Sequence, residues 1–160
     1  MIVLEPEMIA AGDGGPKVAL LADASATGGA ASVQRVDLPA GVDGASPHYH
    51  TRSAEVFHVL HGALEMLIGD DVVEVPAGAL VVIEPNTVHA FAAPPSSAAS
   101  ALIVLTPGVD RFGYFRLLRD VASGERAPSE LLAAQDEYDN HFVDSPPWRA
   151  RRDAGAAHGG

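Results

Sequence analysis

Three imidazoles and one carboxylate stand at spacings that could build a metal site. His48 and His50 flank a single tyrosine, Glu55 follows after four residues, and His89 ends the later segment Pro85-Asn86-Thr87-Val88-His89. Side chains alternate faces along an extended strand, so His48 and His50 point the same way and Tyr49 points opposite. A short turn through residues 51–54 brings Glu55 back beside them on the next strand. Neutral imidazoles with a carboxylate suit a divalent transition metal (Fe, Ni, Mn, Zn or Co) better than Mg or Ca, which take oxygen shells. Burying such groups costs free energy unless they are paired or coordinated, so four converging on one interior require a shared positive charge. Four protein ligands also leave a five- or six-coordinate ion open to substrate.

The elements that must position these groups are short. Gly, Pro and Asx residues divide the first two-thirds of the chain into the apolar runs Val18–Ala22, Val33–Leu38, Val56–Leu60, Ala63–Ile68, Val72–Val75, Leu80–Ile83, His89–Ala92 and Ala101–Leu105. Such runs, rich in Val, Ile and Leu, predict antiparallel strands of a sandwich or barrel. Gly69-Asp70-Asp71 reads as a hairpin turn. After Pro107 the texture changes. Asp110 is the expected cap of a helix with Tyr114, Leu117, Leu118 and Val121 on one apolar face. Gly124 breaks it, and Pro128–Tyr138 reads as a second short helix with Pro near its start. Both are expected to pack outside the barrel or on a partner subunit. From Ser145, two prolines, three arginines and several glycines predict a poorly ordered tail.

These residues resemble the first motif of the cupin superfamily: H-x-H, three or four residues, Glu, six residues, Gly. The match runs from His48 to Gly62. His89 stands where the second motif supplies the fourth ligand, and Gly78 to His89 keeps that motif's interval. The chain departs from the pattern in its turns. Gly41 is one residue too far from His48, the second motif's proline is one place late, and Asn86 holds a glycine position. Ala79 and Ala93 replace the usual Asp and Asn. Asn tolerates the left-handed conformation, so the turn at Asn86 is expected to survive. The resemblance covers roughly Gln34 to Pro107 and implies an all-β fold: a double-stranded β-helix (jelly-roll cupin barrel) with short C-terminal helices. The expected organisation is N-terminal strands and loop over 1–30, barrel core over 31–107, helical segment over 108–144 and disordered tail over 145–160. The H-x-H occurs once, which implies a single barrel.

Phe57, Met66 and Phe91 have the strand parity to line a substrate pocket beside the ligands. No Lys or Arg falls at an inward position on the motif strands. Arg52, between His50 and Glu55, lies near the mouth and reads as a solvated loop residue. A sugar phosphate or dicarboxylate would want a cationic partner, so the expected ligand is a neutral or aromatic small molecule bound through oxygen. Resemblance to quercetinase-like cupins implies a dioxygenase, with Glu55 as both metal ligand and catalytic base. The same resemblance implies two alternatives: a metal-dependent polyketide cyclase or isomerase, and a non-catalytic metal- or ligand-binding barrel. His58, His61, His141 and His158 read as structural or surface histidines.

Composition bounds the rest. A net charge of −11 argues against nucleic acid and anionic membrane as partners. The absence of cysteine excludes disulfides, thiolate zinc sites and a cysteine nucleophile. Acids occupy the first residues where a secretory signal would be basic, and no apolar stretch approaches the ~20 residues of a membrane span, so the expected location is cytoplasmic. Exposed sheet edges, with the Tyr114/Leu118 helix as further apolar area, predict a homodimer.

Overall fold

The computed structural model describes residues 4–157. In chain order its strands are β1 (Glu7–Ala10), β2 (Lys17–Ala22), β3 (Ser32–Leu38), β4 (Asp43–Tyr49), β5 (Ala54–His61), β6 (Ala63–Ile68), β7 (Asp71–Pro76), β8 (Leu80–Ile83), β9 (His89–Ala92) and β10 (Ala99–Thr106). Then come α1 (Phe112–Ala122), α2 (Pro128–Ala133), α3 (Gln135–Tyr138), β11 (His141–Phe142) and α4 (Pro146–Ala157). Two antiparallel sheets face each other, one in the order β1-β2-β3-β10-β5-β8 and the other β11-β4-β9-β6-β7. This is the jelly-roll barrel.

Period-two burial determines which side chains enter it. On β5, Glu55, Phe57 and Val59 are buried and alternate with half-buried neighbours, so the carboxylate shares its inward face with core residues. On β3 the inward set is Ser32, Gln34, Val36 and Leu38, which places an amide among aliphatic groups. Gly62, which closes the first motif, adopts φ 67°, and a Cβ there would lie 1.9 Å from the carbonyl oxygen of Ala98. Only glycine fits that β5–β6 turn. Asn86 takes the left-handed conformation (φ 65°), and its N–H donates to the carbonyl of His50 at 2.7 Å.

Three expectations need correction. Asp110 does not cap α1; its carboxylate accepts from the Ser25 N–H instead. The cap is Asp23, whose two oxygens accept from the backbone N–H groups of Arg111 (2.7 Å) and Phe112 (3.2 Å). The helical segment over 128–138 is broken at Ala134 (φ −93°, ψ 4°) into α2 and α3. The tail is not disordered over 146–157. Trp148 on α4 is buried against Leu67, Ala90 and Ala92 on the outer face of the second sheet. That cover explains why all four residues of β9 are buried. Beside the indole, the buried carboxylate of Glu65 accepts from Arg151 Nε at 2.9 Å and from Arg152 Nη1 at 2.7 Å. Two prolines at the start of α4 are compatible with a helix, since the first turn has no N–H partners to lose. His158 lies outside the described residues.

The apolar side of α1 is also committed. Tyr114 and Phe115 form a buried cluster with Ile9 and Leu20, and Leu118 packs against it. This helix therefore does not offer the apolar area expected for a partner.

Candidate metal centre

His48 on β4 pairs directly with His89 on β9, and Glu55 enters from β5 in the opposite sheet. His50 lies just past the end of β4. All four residues are buried, and their potential ligand atoms lie within 4.8 Å of one another. The imidazole centroids are 4.9 Å apart for His48–His50, 4.3 Å for His48–His89 and 5.2 Å for His50–His89. None of the other described histidines joins the group. His58 turns Nδ1 to the carbonyl of Ala79, His61 is exposed, and His141 stacks on Tyr49.

The donor chemistry fits a metal ion. Each clustered histidine places Nδ1 against a backbone carbonyl: His48 on Ser46 at 2.7 Å, His50 on Asp139 at 2.5 Å and His89 on Thr87 at 2.9 Å. A carbonyl can only accept, so each Nδ1 carries the hydrogen and each Nε2 of a neutral ring keeps its lone pair. His50 Nε2 and His89 Nε2 then lie 3.2 and 2.6 Å from Glu55 Oε2, lone pair facing anion unless a cation or proton intervenes. Burial, reinforced by the neighbouring imidazoles, pushes the His48 pKa well below its usual range, which keeps that ring neutral. Burial alone would raise Glu55, but His50 and His89 outweigh it and hold the carboxyl ionised, well below the usual range. For His89, burial opposes the charged form, yet the Glu55 hydrogen bond wins and raises its pKa. Three imidazoles and an ionised carboxylate match a divalent transition ion.

The C-terminal segment completes this centre. β11 pairs with β4 in the register His141–Tyr49 and Phe142–His48. Just before it, Asp139 (φ 51°) turns its carbonyl to His50 and its carboxylate to the loop between His50 and Glu55. That carboxylate accepts from Thr51 N (2.9 Å), Thr51 Oγ1 (2.7 Å) and Arg52 N (2.8 Å). Burial disfavours its charge, but these donors prevail and lower its pKa to about 2. Arg52 itself is exposed, bonded to the carbonyls of Asp136 and Glu137, and does not line the cavity.

His48 and Glu55 open onto a cavity of about 270 Å³, slightly below the ~300–1,000 Å³ usual for ligand pockets. Its walls are mostly apolar, with Val18, Val36, Phe91, Ile103, Tyr114 and Phe115 among them. Of the three expected pocket residues, only Phe91 lines it. Phe57 and Met66 are fully buried in the core, with the Phe57 ring edge-on to Phe91 at 5.3 Å. Gly44 makes room for Phe91, since a Cβ there would stand 2.1 Å from its ring.

The expectation of a cavity without an inward cation is corrected by Arg111. The motif strands supply none, but the residue preceding α1 does. Arg111 is 3% exposed and lines the cavity together with Gln34 and Asn140. Sequence reasoning missed all three, along with Asp139, because each acts across a sequence separation that no local pattern encodes. The Asp139-Asn140 pair between a helix and β11 was the only local hint.

A cupin-domain family model matches residues 34–105, the span holding β3 to β10 and all four clustered side chains. Over residues 34–105 the chain carries a cupin domain. Among solved structures, this cupin is similar to a protein described as a predicted oxalate decarboxylase from Thermotoga maritima, at 23% identity and TM-score 0.57, covering 66% of this chain and 98% of that one. It is also similar to KdgF from Halomonas sp. (19% identity, TM-score 0.53, 63% and 87% covered). A Streptomyces PAC13 variant solved with uridine matches at 17% identity and TM-score 0.53, with 69% and 87% covered. At these identities the likeness establishes the barrel alone. No curated protein matches this cupin.

Proposed function

We propose that this cupin is a metal-dependent enzyme acting on a small molecule with an apolar, aromatic body, and that the reaction is an oxygenation of the dioxygenase type. The observation that carries the reading is an ionised carboxylate among three imidazoles at the wall of a largely apolar cavity. His48, His50, Glu55 and His89 would hold a transition ion, which would supply Lewis acidity and, where redox-active, electrons for oxygen chemistry. The chain's own residues do the rest. Phe91, Val36 and Ile103 enclose the substrate body and exclude water. Glu55 takes the acidic proton of the substrate onto its carboxylate. Apart from the ligands His48 and Glu55, no imidazole or carboxylate lines the cavity. That suits a reaction needing one deprotonation better than one shuttling protons between two positions.

Tyr114 favours a second reading, a cyclase, isomerase or lyase without redox change. Burial pushes its phenol up to about 12, which keeps it protonated as a potential acid in the cavity. Oxygen uptake separates the two. Protein loaded in turn with Fe, Mn, Ni, Co or Zn is offered flavonols, 1,3-diketones and enolisable aryl 2-oxo acids. The first reading expects uptake with a redox-active metal and loss of it in Glu55→Ala. Turnover without dioxygen supports the second, and binding without turnover returns the chain to a ligand-binding barrel.

We also propose a homodimer in a cytoplasmic setting. Leu80 and Val82 are exposed at 62% and 56% on β8, an edge strand, and a second copy would cover them. Light scattering at micromolar concentration should give twice the chain mass, and Leu80→Lys should halve it. Among the described residues no helix is long and apolar enough to cross a membrane.

A further inference from the structure

The cavity holds a charge that the metal centre does not use. Arg111 is buried, and among the described residues no carboxylate pairs with it. Nη2 donates to Asn140 Oδ1 at 3.2 Å. Nη1 lies 3.5 Å from His50 Nδ1, which already donates to the Asp139 carbonyl and cannot accept. Nε makes no hydrogen bond, and neither does the buried amide nitrogen of Asn140. The rings of Tyr114 and Phe115, with centroids 5.1 and 5.9 Å from the guanidinium carbon, soften the desolvation but supply no counter-charge. A buried guanidinium without an anion is among the most costly arrangements in a protein interior. With a divalent ion bound and Glu55 ionised, two positive charges remain uncompensated around one small cavity.

We propose that Arg111 and the Asn140 amide form a carboxylate-binding subsite, so that the substrate is an acid with an apolar body, its carboxylate at Arg111 and its reactive end at His48 and Glu55. The proposal rests on reading this cavity as the substrate site, and it replaces the expected neutral ligand with an anionic one. One planar guanidinium and one amide match the two in-plane oxygens of a carboxylate. A phosphate dianion would bring a third oxygen and a second charge against walls that are otherwise mostly apolar.

The test is titration calorimetry on the full chain after metal chelation, so that its outcome is independent of turnover. Benzoate, 3-phenylpropanoate and hexanoate are each compared with their own amide. In the wild type at least one acid should bind more than about tenfold tighter than its amide. Arg111→Gln should bring that ratio below about two, and Arg111→Lys should leave an intermediate ratio, since it keeps the charge but not the fork. Both variants should reload metal to wild-type stoichiometry, which separates loss of the subsite from loss of the centre. Equal binding of every acid and its amide in the wild type overturns the proposal. So does a preference that survives Arg111→Gln, or tighter binding of phenyl phosphate than of all three acids. Should Arg111→Gln fail to fold, the wild-type ratio and Arg111→Lys decide. Failure of oxygen uptake with intact acid preference removes the oxygenase reading and leaves this one standing.

Discussion

The motif strands and the C-terminal segment build opposite sides of the same cavity by different means. β4, β5 and β9 present the four clustered side chains through strand alternation and cross-strand register, a local code readable two residues at a time. Residues 111–142 contribute a cation, two amide and carbonyl contacts and a cap for the loop beside the ligands, each across tens of residues of chain. The first region sets what the site can hold. The second supports His50 and the loop beside it, and on the proposal above it selects what the cavity accepts.

The largest expected effect tests the first region. His48→Ala, His50→Ala and His89→Ala should each reduce bound metal to less than about a tenth of wild type, as loss of a direct ligand exceeds the ~10–100-fold cost of losing a supporting contact. His58→Ala should bind normally. Elemental analysis reads both, and equal metal in the His48 and His58 variants would break the division.

Next comes α4, which covers the barrel without approaching the cluster. Trp148→Ala removes a buried indole from Leu67, Ala90 and Ala92, which should cost about 3–5 kcal/mol in chemical denaturation. Metal content of the folded fraction should not change. If metal falls in proportion to stability, the outer face and the centre are coupled and the comparison must be redrawn.

The smallest effect sharpens the second region. Asp139→Ala removes three acceptor contacts to Thr51 and Arg52 while leaving every ligand in place. A drop of about tenfold in metal affinity is expected, the lower end for an outer contact. Competition with a chelator measures it, and an unchanged affinity would mean that the Asp139 carboxylate does not tune the metal site.

How much could be read beforehand follows the same division. His48, His50, Glu55 and His89 could be grouped because their spacing is a strand pattern, and Asn86 because a left-handed turn has few tenants. The short strands announced themselves through Val, Ile and Leu between turn residues. Arg111 could not be placed, because its direction depends on Asp23 capping α1 from 88 positions away. Composition misled at the tail. Prolines, arginines and glycines are common in disordered chain, yet here Trp148 supplies burial, and Arg151 and Arg152 meet Glu65, a partner invisible at a separation of 86 residues. Phe57 and Met66 had the right parity but sit in the core, since parity names a face and not a depth along it.

The hydrogen bond from His50 Nδ1 to the carbonyl of Asp139 has a consequence for the timing of biosynthesis. A ribosome delivers all four clustered side chains once residue 89 has emerged, but the acceptor that selects the His50 tautomer is fifty residues further along. A nascent chain that has completed β10 but not yet Asp139 would hold His50 with either ring nitrogen protonated and with the following loop uncapped. On the metal-centre reading, stable metal capture would wait until the later stretch has been made and has folded back. Chains stalled with Asp139 still inside the exit tunnel should retain less metal through a chelator wash than chains stalled with β11 fully emerged. Equal retention would mean that the strands alone are sufficient to load the ion.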